Sequence, residues 1–186
     1  MLAQLRPAIV LTVLFTLLLG LAYPLAITGI GQAAFPAQAN GSRIERNGVL
    51  IGSDLIGQVF TGAGYFHPRP SAVDYNAAGS SASNLAPTST ALRDAIVERT
   101  AALALDGPAP ADAVTTSGSG LDPHISPAFA QTQVARIATA RALPPEQVAA
   151  LLEATIEQPL LGVIGEPQVN VLRLNLALDA MAPPAS

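Results

Sequence analysis

Between Arg6 and Arg43 the chain carries no charged side chain, and residues 8–30 (AIVLTVLFTLLLGLAYPLAITGI) form an apolar run of 23 residues. As an α-helix this run is about 34 Å long, enough to cross a hydrocarbon core of ~30 Å. Its only polar interruptions, Thr12, Thr16 and Thr28, can turn their hydroxyls back onto the helix. Pro24 would break a helix in water, but membrane helices tolerate proline where neighbours satisfy the freed carbonyl. Tyr23 and residues 29–35 fall where an interfacial belt would start. The segment has no polar face, which argues against a buried helix of a soluble core.

A cleaved leader is the rival reading, because Ala37-Gln38-Ala39 is an A-x-A site. The apolar run is much longer than the usual 7–15 residues of a leader, and that site lies well past its end, so a retained anchor is expected. The expected organisation is a short N-terminus (1–7), a transmembrane helix (8–30) and one soluble domain (31–186). Arg6 stands on one side, with Arg43 and Arg46 well beyond the other end, so the positive-inside rule alone gives no orientation.

The soluble part, about 156 residues, suits a single domain. The protein has nine Arg, no Lys, thirteen acidic residues and a net charge of −4. The arginines are scattered, so no basic stripe exists for nucleic acid. With no cysteine there is no disulfide, thiolate metal site or cysteine nucleophile.

An α+β domain is expected. Residues 47–60 hold two apolar runs around Gly52-Ser53-Asp54 and read as two strands with a turn. Residues 61–87 are dense in Gly, Ser, Asn and Pro and form a long connection holding Tyr65, Phe66 and Tyr75. A helix is expected from Thr88 or Ser89, with Leu92, Ile96, Arg99 and Leu103 on one face and Gly107-Pro108 as its stop. Residues 112–117 read as a short strand and 117–124 as a tight loop. Ser126 caps a helix with Pro127 at its first position, running to Arg141. A further helix starts at Pro144-Pro145-Glu146 and presents Val148, Leu151, Leu152 and Ile156. VNVLRLNLAL (169–178) alternates, apart from one paired apolar step, and reads as a strand.

The chemistry-bearing residues are few. His67 and His124 are the only histidines, and Asp122 is the one carboxylate beside His124 in sequence, so a metal set is not expected. Ser117, Ser119, Asp122 and His124 crowd into one loop, whereas the members of a catalytic triad converge from separate elements. Gly118 and Gly120 ahead of a helix are only loosely like a phosphate cradle, and without a lysine the P-loop is excluded. Arg69, between Pro68 and Pro70, sits in a stiff extended segment and could dock on a carboxylate of a partner.

Six blocks carry a resemblance: RPAIVLTVLFTLLLGLAYPL from Arg6, QANGS (38–42), GSDLIGQVFTGAGYFHPRPSA (52–72), SNLAPTS (83–89), TSGSGLDPHISPAFAQTQVARIATARAL (116–143) and GEPQVNVLRLNLALD (165–179). Together they closely resemble the C subunits of the Kdp-type potassium-transporting ATPases of bacteria and archaea, over residues 6–179. The resemblance implies an accessory, non-catalytic subunit of the plasma (inner) membrane, single-pass, with its soluble domain extracytoplasmic. Its implied partners are a potassium-channel-like subunit, a P-type ATPase subunit and a small single-helix subunit. The implied task is to assemble and stabilise the complex, with Tyr65, Phe66, Arg69, Leu121 and Asp122 in the contacting loops. The alternative is a catalytic chaperone that raises ATP affinity of the ATPase subunit, in which Gln147 of LPPEQ (143–147) would touch nucleotide. No intrinsic cofactor is implied, and ATP would be met only in complex with the ATPase subunit. Pro144 and Pro145 stand where that role wants small flexible residues, and an extracytoplasmic domain cannot reach a cytoplasmic nucleotide site.

Overall fold

The computed structural model describes residues 2–105 and 107–182, and the chain divides into two compact units, residues 1–51 and 52–186. In the first unit, α1 (Leu2–Leu17), a π-turn (Leu18–Ala22) and α2 (Tyr23–Ala34) follow one another without a break. Proline is the cause of the π-turn. Pro24 has no N–H, and its ring would strike the carbonyl of residue 20 in a regular helix. The chain widens instead, and the Tyr23 N–H bonds to Leu18 O, five residues back. The stretch Ala3–Ala34, 32 residues, is long and apolar enough to cross a membrane, and it outruns residues 8–30 at both ends. Its large apolar side chains are open all round, from 49% exposed at Leu18 to 68% at Leu25. A short α3 (Pro36–Ala39) follows.

Strands β1 (Arg43–Arg46) and β2 (Val49–Ser53) then form a hairpin. Asn47 (φ 54°) and Gly48 (φ 75°) turn it, the left-handed pair that a two-residue hairpin loop requires. This corrects the expectation of two strands within 47–60. The partner of β2 precedes it, and residues 55–60 are irregular because Gly57 N–H bonds elsewhere, to Leu121 O at 2.7 Å.

The second unit is α+β. It comprises α4 (Thr90–Leu103), α5 (Ala111–Val114), β3 (His124–Ile125), α6 (Pro127–Arg141), α7 (Pro145–Thr155), β4 (Val169–Asn170) and α8 (Val171–Met181). Helix α6 packs on α7 and α7 on α8, while α4 lies against α5. Ser126 caps α6 as expected, accepting from Phe129 N–H. Leu92, Ile96, Arg99 and Leu103 form the half-buried face of α4, and its chain reverses at Ala104 (αL), before Gly107-Pro108. Val148 and Leu152 of α7 are buried.

Two expected strands are corrected. Residues 111–114 are a single helical turn after Pro110, not part of a strand. Residues 169–178 pair as a strand only at Val169 and Asn170, opposite Ile125 and His124. The Asn170 side chain then accepts from Arg173 N–H and starts α8. Val171, Leu174 and Leu178 thereby come to one face and enter the core with Phe66, Phe129, Ile137 and Val148.

Candidate functional site

No helix or strand lies in residues 54–89, yet much of this connection is held firmly. Two side-chain amides grip it. Asn175 of α8 accepts from Phe66 N–H (2.8 Å) and donates to Phe66 O (2.9 Å). Gln133 of α6 treats the next residue alike, accepting from His67 N–H (2.8 Å) and donating to His67 O (3.1 Å). Both peptide groups are thus bonded as if a strand lay alongside, and the Phe66 ring is fully enclosed.

Arginines extend the seam. Arg136 donates to Tyr65 O (3.0 Å) and to Gln133 Oε1 (2.7 Å). Arg141, buried at the end of α6, donates to Gly64 O (2.6 Å) and to Asp179 Oδ1 (2.7 Å). Its guanidinium lies 4.6 Å from the centre of the Tyr65 ring, and Tyr65 OH reaches Asp179 at 3.3 Å. Burial holds the His67 imidazolium below its ordinary 6.5, helped by nearby Arg136 and opposed by the Gly62 carbonyl.

A second junction fixes the same connection to the turn 115–124. Arg69 donates to Asp122 Oδ2 (3.0 Å) and to the carbonyls of Thr115 and Thr116. Tyr75 OH donates to Arg69 O, and Ser71 Oγ donates to Gly120 O (2.6 Å). Two glycines permit this approach. A Cβ on Gly57 would stand 2.6 Å from Asp122 O, and one on Gly120 (φ 67°) would stand 2.7 Å from Ser81 O. Burial pushes the Asp122 carboxyl up, but hydrogen bonds from His124 and from Arg69 outweigh it and hold the group below its ordinary 3.8. Burial, with the Asp122 charge, pushes the Tyr75 phenol up to about 12.

From Asp122 a file of ionisable side chains runs outward. His124 sits between Asp122 Oδ1 (3.6 Å) and Glu157 Oε2 (3.8 Å), Arg173 lies 3.4 Å from Glu157, and Arg173 pairs with Asp54. Beside it an open cleft of about 550 Å³ is lined by Arg69, Asp112, Thr115, His124, Ser126 and Glu166, among others. Its hydroxyls have local duties. Ser126 Oγ donates to Asp112 and caps α6, while Ser117 and Ser119 accept from Gly120 and Leu121 N–H. Among the described residues no group of three His, Cys, Asp or Glu could hold a metal ion.

The residues proposed from sequence therefore separate. Tyr65 and Phe66 belong to the seam on α6 and α8; Arg69, Leu121 and Asp122 meet in the second junction. Phe66 and Leu121 are buried in this domain, whereas Tyr65, Arg69 and Asp122 keep partly open surfaces. Gln147 is exposed on the first turn of α7, outside both. Sequence reasoning missed Asn175, Gln133, Arg136 and Arg141. The one signal for Asn175 was an amide on what the alternating pattern made a strand.

Residues 5–180 match the family described as KdpC, K+-transporting ATPase, c chain. The chain is 57% identical to the potassium-transporting ATPase KdpC subunit of Caulobacter vibrioides over 190 residues, covering 99% of this chain and 96% of that one. It is 59% identical to the KdpC subunit of Cereibacter sphaeroides over 182 residues (97% and 98%). To that of Rhodopseudomonas palustris it is 54% identical over 200 residues (98% and 100%). With a family match that spans nearly its whole length, this chain belongs to the KdpC family of K+-transporting ATPase c chains.

Proposed function

We propose that this chain is the membrane-anchored, non-catalytic subunit of an ATP-driven potassium-uptake complex, which it assembles and stabilises. The helix spanning Leu2–Ala34 is the anchor, and the soluble unit stands on the extracytoplasmic side of the bacterial inner membrane. Its partners are the channel-like subunit, the P-type ATPase subunit and the small single-helix subunit. The observation that carries this reading is the contrast inside residues 54–89. A connection with no helix or strand is fastened by two amides, three arginines and two close-approach glycines, which suits a rigid surface shown to a neighbour. Tyr65, Arg69 and Asp122 supply its partly open polar edge, with Phe66 and Leu121 as the buried anchors beneath.

A chaperone role through Gln147 is the second reading. Its side chain is exposed, but Pro144 and Pro145 remove two N–H donors from the start of α7, where an anionic nucleotide would bind. One experiment tests topology and role together. A single cysteine at exposed Ser80 (S80C), in a chain that has none of its own, should label from the outside of intact cells. Deleting residues 8–30 should leave the other subunits unassembled. Labelling from the cytoplasm alone would overturn the extracytoplasmic placement, and an intact complex without the helix would overturn the assembly role.

A further inference from the structure

A β-finger follows α7. Its base is a two-way backbone pair between Glu157 and Gln168 (2.8 and 3.1 Å), and its outer rung joins Leu160 to Ile164. The base is stiffened from the side, where His124 and Arg173 flank the Glu157 carboxylate. The tip carries the opposite chemistry. Leu160, Leu161, Val163 and Ile164 are 67, 83, 81 and 58% exposed, and residues 158–165 hold no charge. Leu161 (φ 56°) precedes Gly162 (φ 75°), both left-handed, and a bulky residue is poorly suited to that conformation. Four large apolar side chains on a braced turn, one of them on strained backbone, have no use inside this domain.

From this geometry we infer that the finger is a plug, seated in an apolar, cation-rimmed recess of another subunit of the transporter; the inference rests on the subunit reading above. Charge selects the occupant. Glu166, exposed just beyond Gly165, is the only charged side chain within residues 158–168, so the flank of the plug is acidic and calls for a cation opposite. A lipid surface fits worse. Residues 158–168 contain no Arg, Lys, Trp or Tyr to anchor in headgroups, and Glu166 is repelled by anionic lipid. The carbonyls of residues 161–163 accept no hydrogen bond among the described residues, which a protein recess can remedy and hydrocarbon cannot.

The test uses the full chain co-expressed with the other subunits of its ATPase and purified through a tag on this chain. Leu161→Asp combined with Val163→Asp touches only exposed positions, so its melting temperature should match the wild type. Recovery of the other subunits should fall about tenfold, as loss of a central apolar anchor does. In a second measurement, a photoreactive side chain replacing Val163 should cross-link to one of those subunits in the assembled complex. Undiminished recovery with the double aspartate would overturn the plug, as would cross-linking only to lipid or to a second copy of this chain. Should the wild-type chain itself recover no subunit, the subunit reading falls first and the plug with it.

Discussion

Helix α1–α2 and the helices α6 and α8 use similar residues to opposite ends. Along residues 5–30 every large apolar side chain is about half exposed, while Ile137, Leu174 and Leu178 are fully buried. The difference lies in what surrounds each helix. In α6 and α8 the polar residues Gln133, Arg136, Asn175 and Asp179 are interleaved with the apolar ones and grip the segment 64–67, so these helices belong to a water-soluble core. The N-terminal helix has leucine, valine and isoleucine on all sides and offers no such grip; it is long and apolar enough to cross a membrane.

The sharpest way to break that comparison is to make the same truncation in both regions. Leu174→Ala should cost the soluble unit roughly 2–5 kcal/mol by transfer and cavity terms, read as a lower denaturant midpoint of the full chain in detergent. Leu14→Ala should shift the same midpoint by less than about 0.5 kcal/mol, because Leu14 fills no cavity here. Equal effects would mean that the helix is part of the folded core. The next largest effect is expected at Arg141. Arg141→Met removes the side-chain donor to the Gly64 carbonyl and the ion-pair partner of Asp179, at a cost of about 3 kcal/mol. Arg141→Lys should recover only part of this, since an ammonium cannot serve both acceptors and stack on Tyr65.

How much of this was legible in the sequence follows from the range of each signal. The long apolar N-terminal helix, the Ser126-Pro127 start of α6 and the half-buried face of α4 are written in local composition and period, and they stand where expected. Residues 169–178 misled because alternation was counted past its exception. The adjacent Val171 and Leu172 fit a helix, and Asn170 is a cap, but only the pairing of Val169 with Ile125 limits the strand to two residues. The long connection was legible as irregular and illegible as rigid. Its rigidity comes from Asn175 and Gln133, more than sixty residues away in sequence, and no local pattern marks an amide as a clasp for distant backbone. Phe66 and Leu121, expected in contacting loops, are buried in this domain, and their burial was illegible for the same reason.

A smaller effect tests the second junction. Gly57→Ala should cost about 1–3 kcal/mol, because the new methyl meets the Asp122 carbonyl and the Tyr75 ring, neither of which can yield cheaply. Gly107→Ala, with open space around it, should be close to neutral in the same melt.

The smallest effect is a pH response confined to the soluble unit. Asp122 is held below its ordinary 3.8, so its contribution to stability is complete above that pH and is lost as pH falls through the lower folded value. Tyr75 runs the other way. Its phenol is raised from 10.0 to about 12, so its contribution is complete below pH 10 and is lost as pH climbs toward 12. Arg69 touches both groups and acts on them with one sign, lowering each. Arg69→Gln should therefore move the acid loss to higher pH and push the phenol titration higher still, read by melting curves and by tyrosinate absorbance. Movement of the two transitions toward each other would contradict the junction. The N-terminal helix supplies the reference. With no ionisable side chain between Arg6 and Arg43 other than Tyr23, its retention in the membrane should not change over the acid range in which the Asp122 junction weakens.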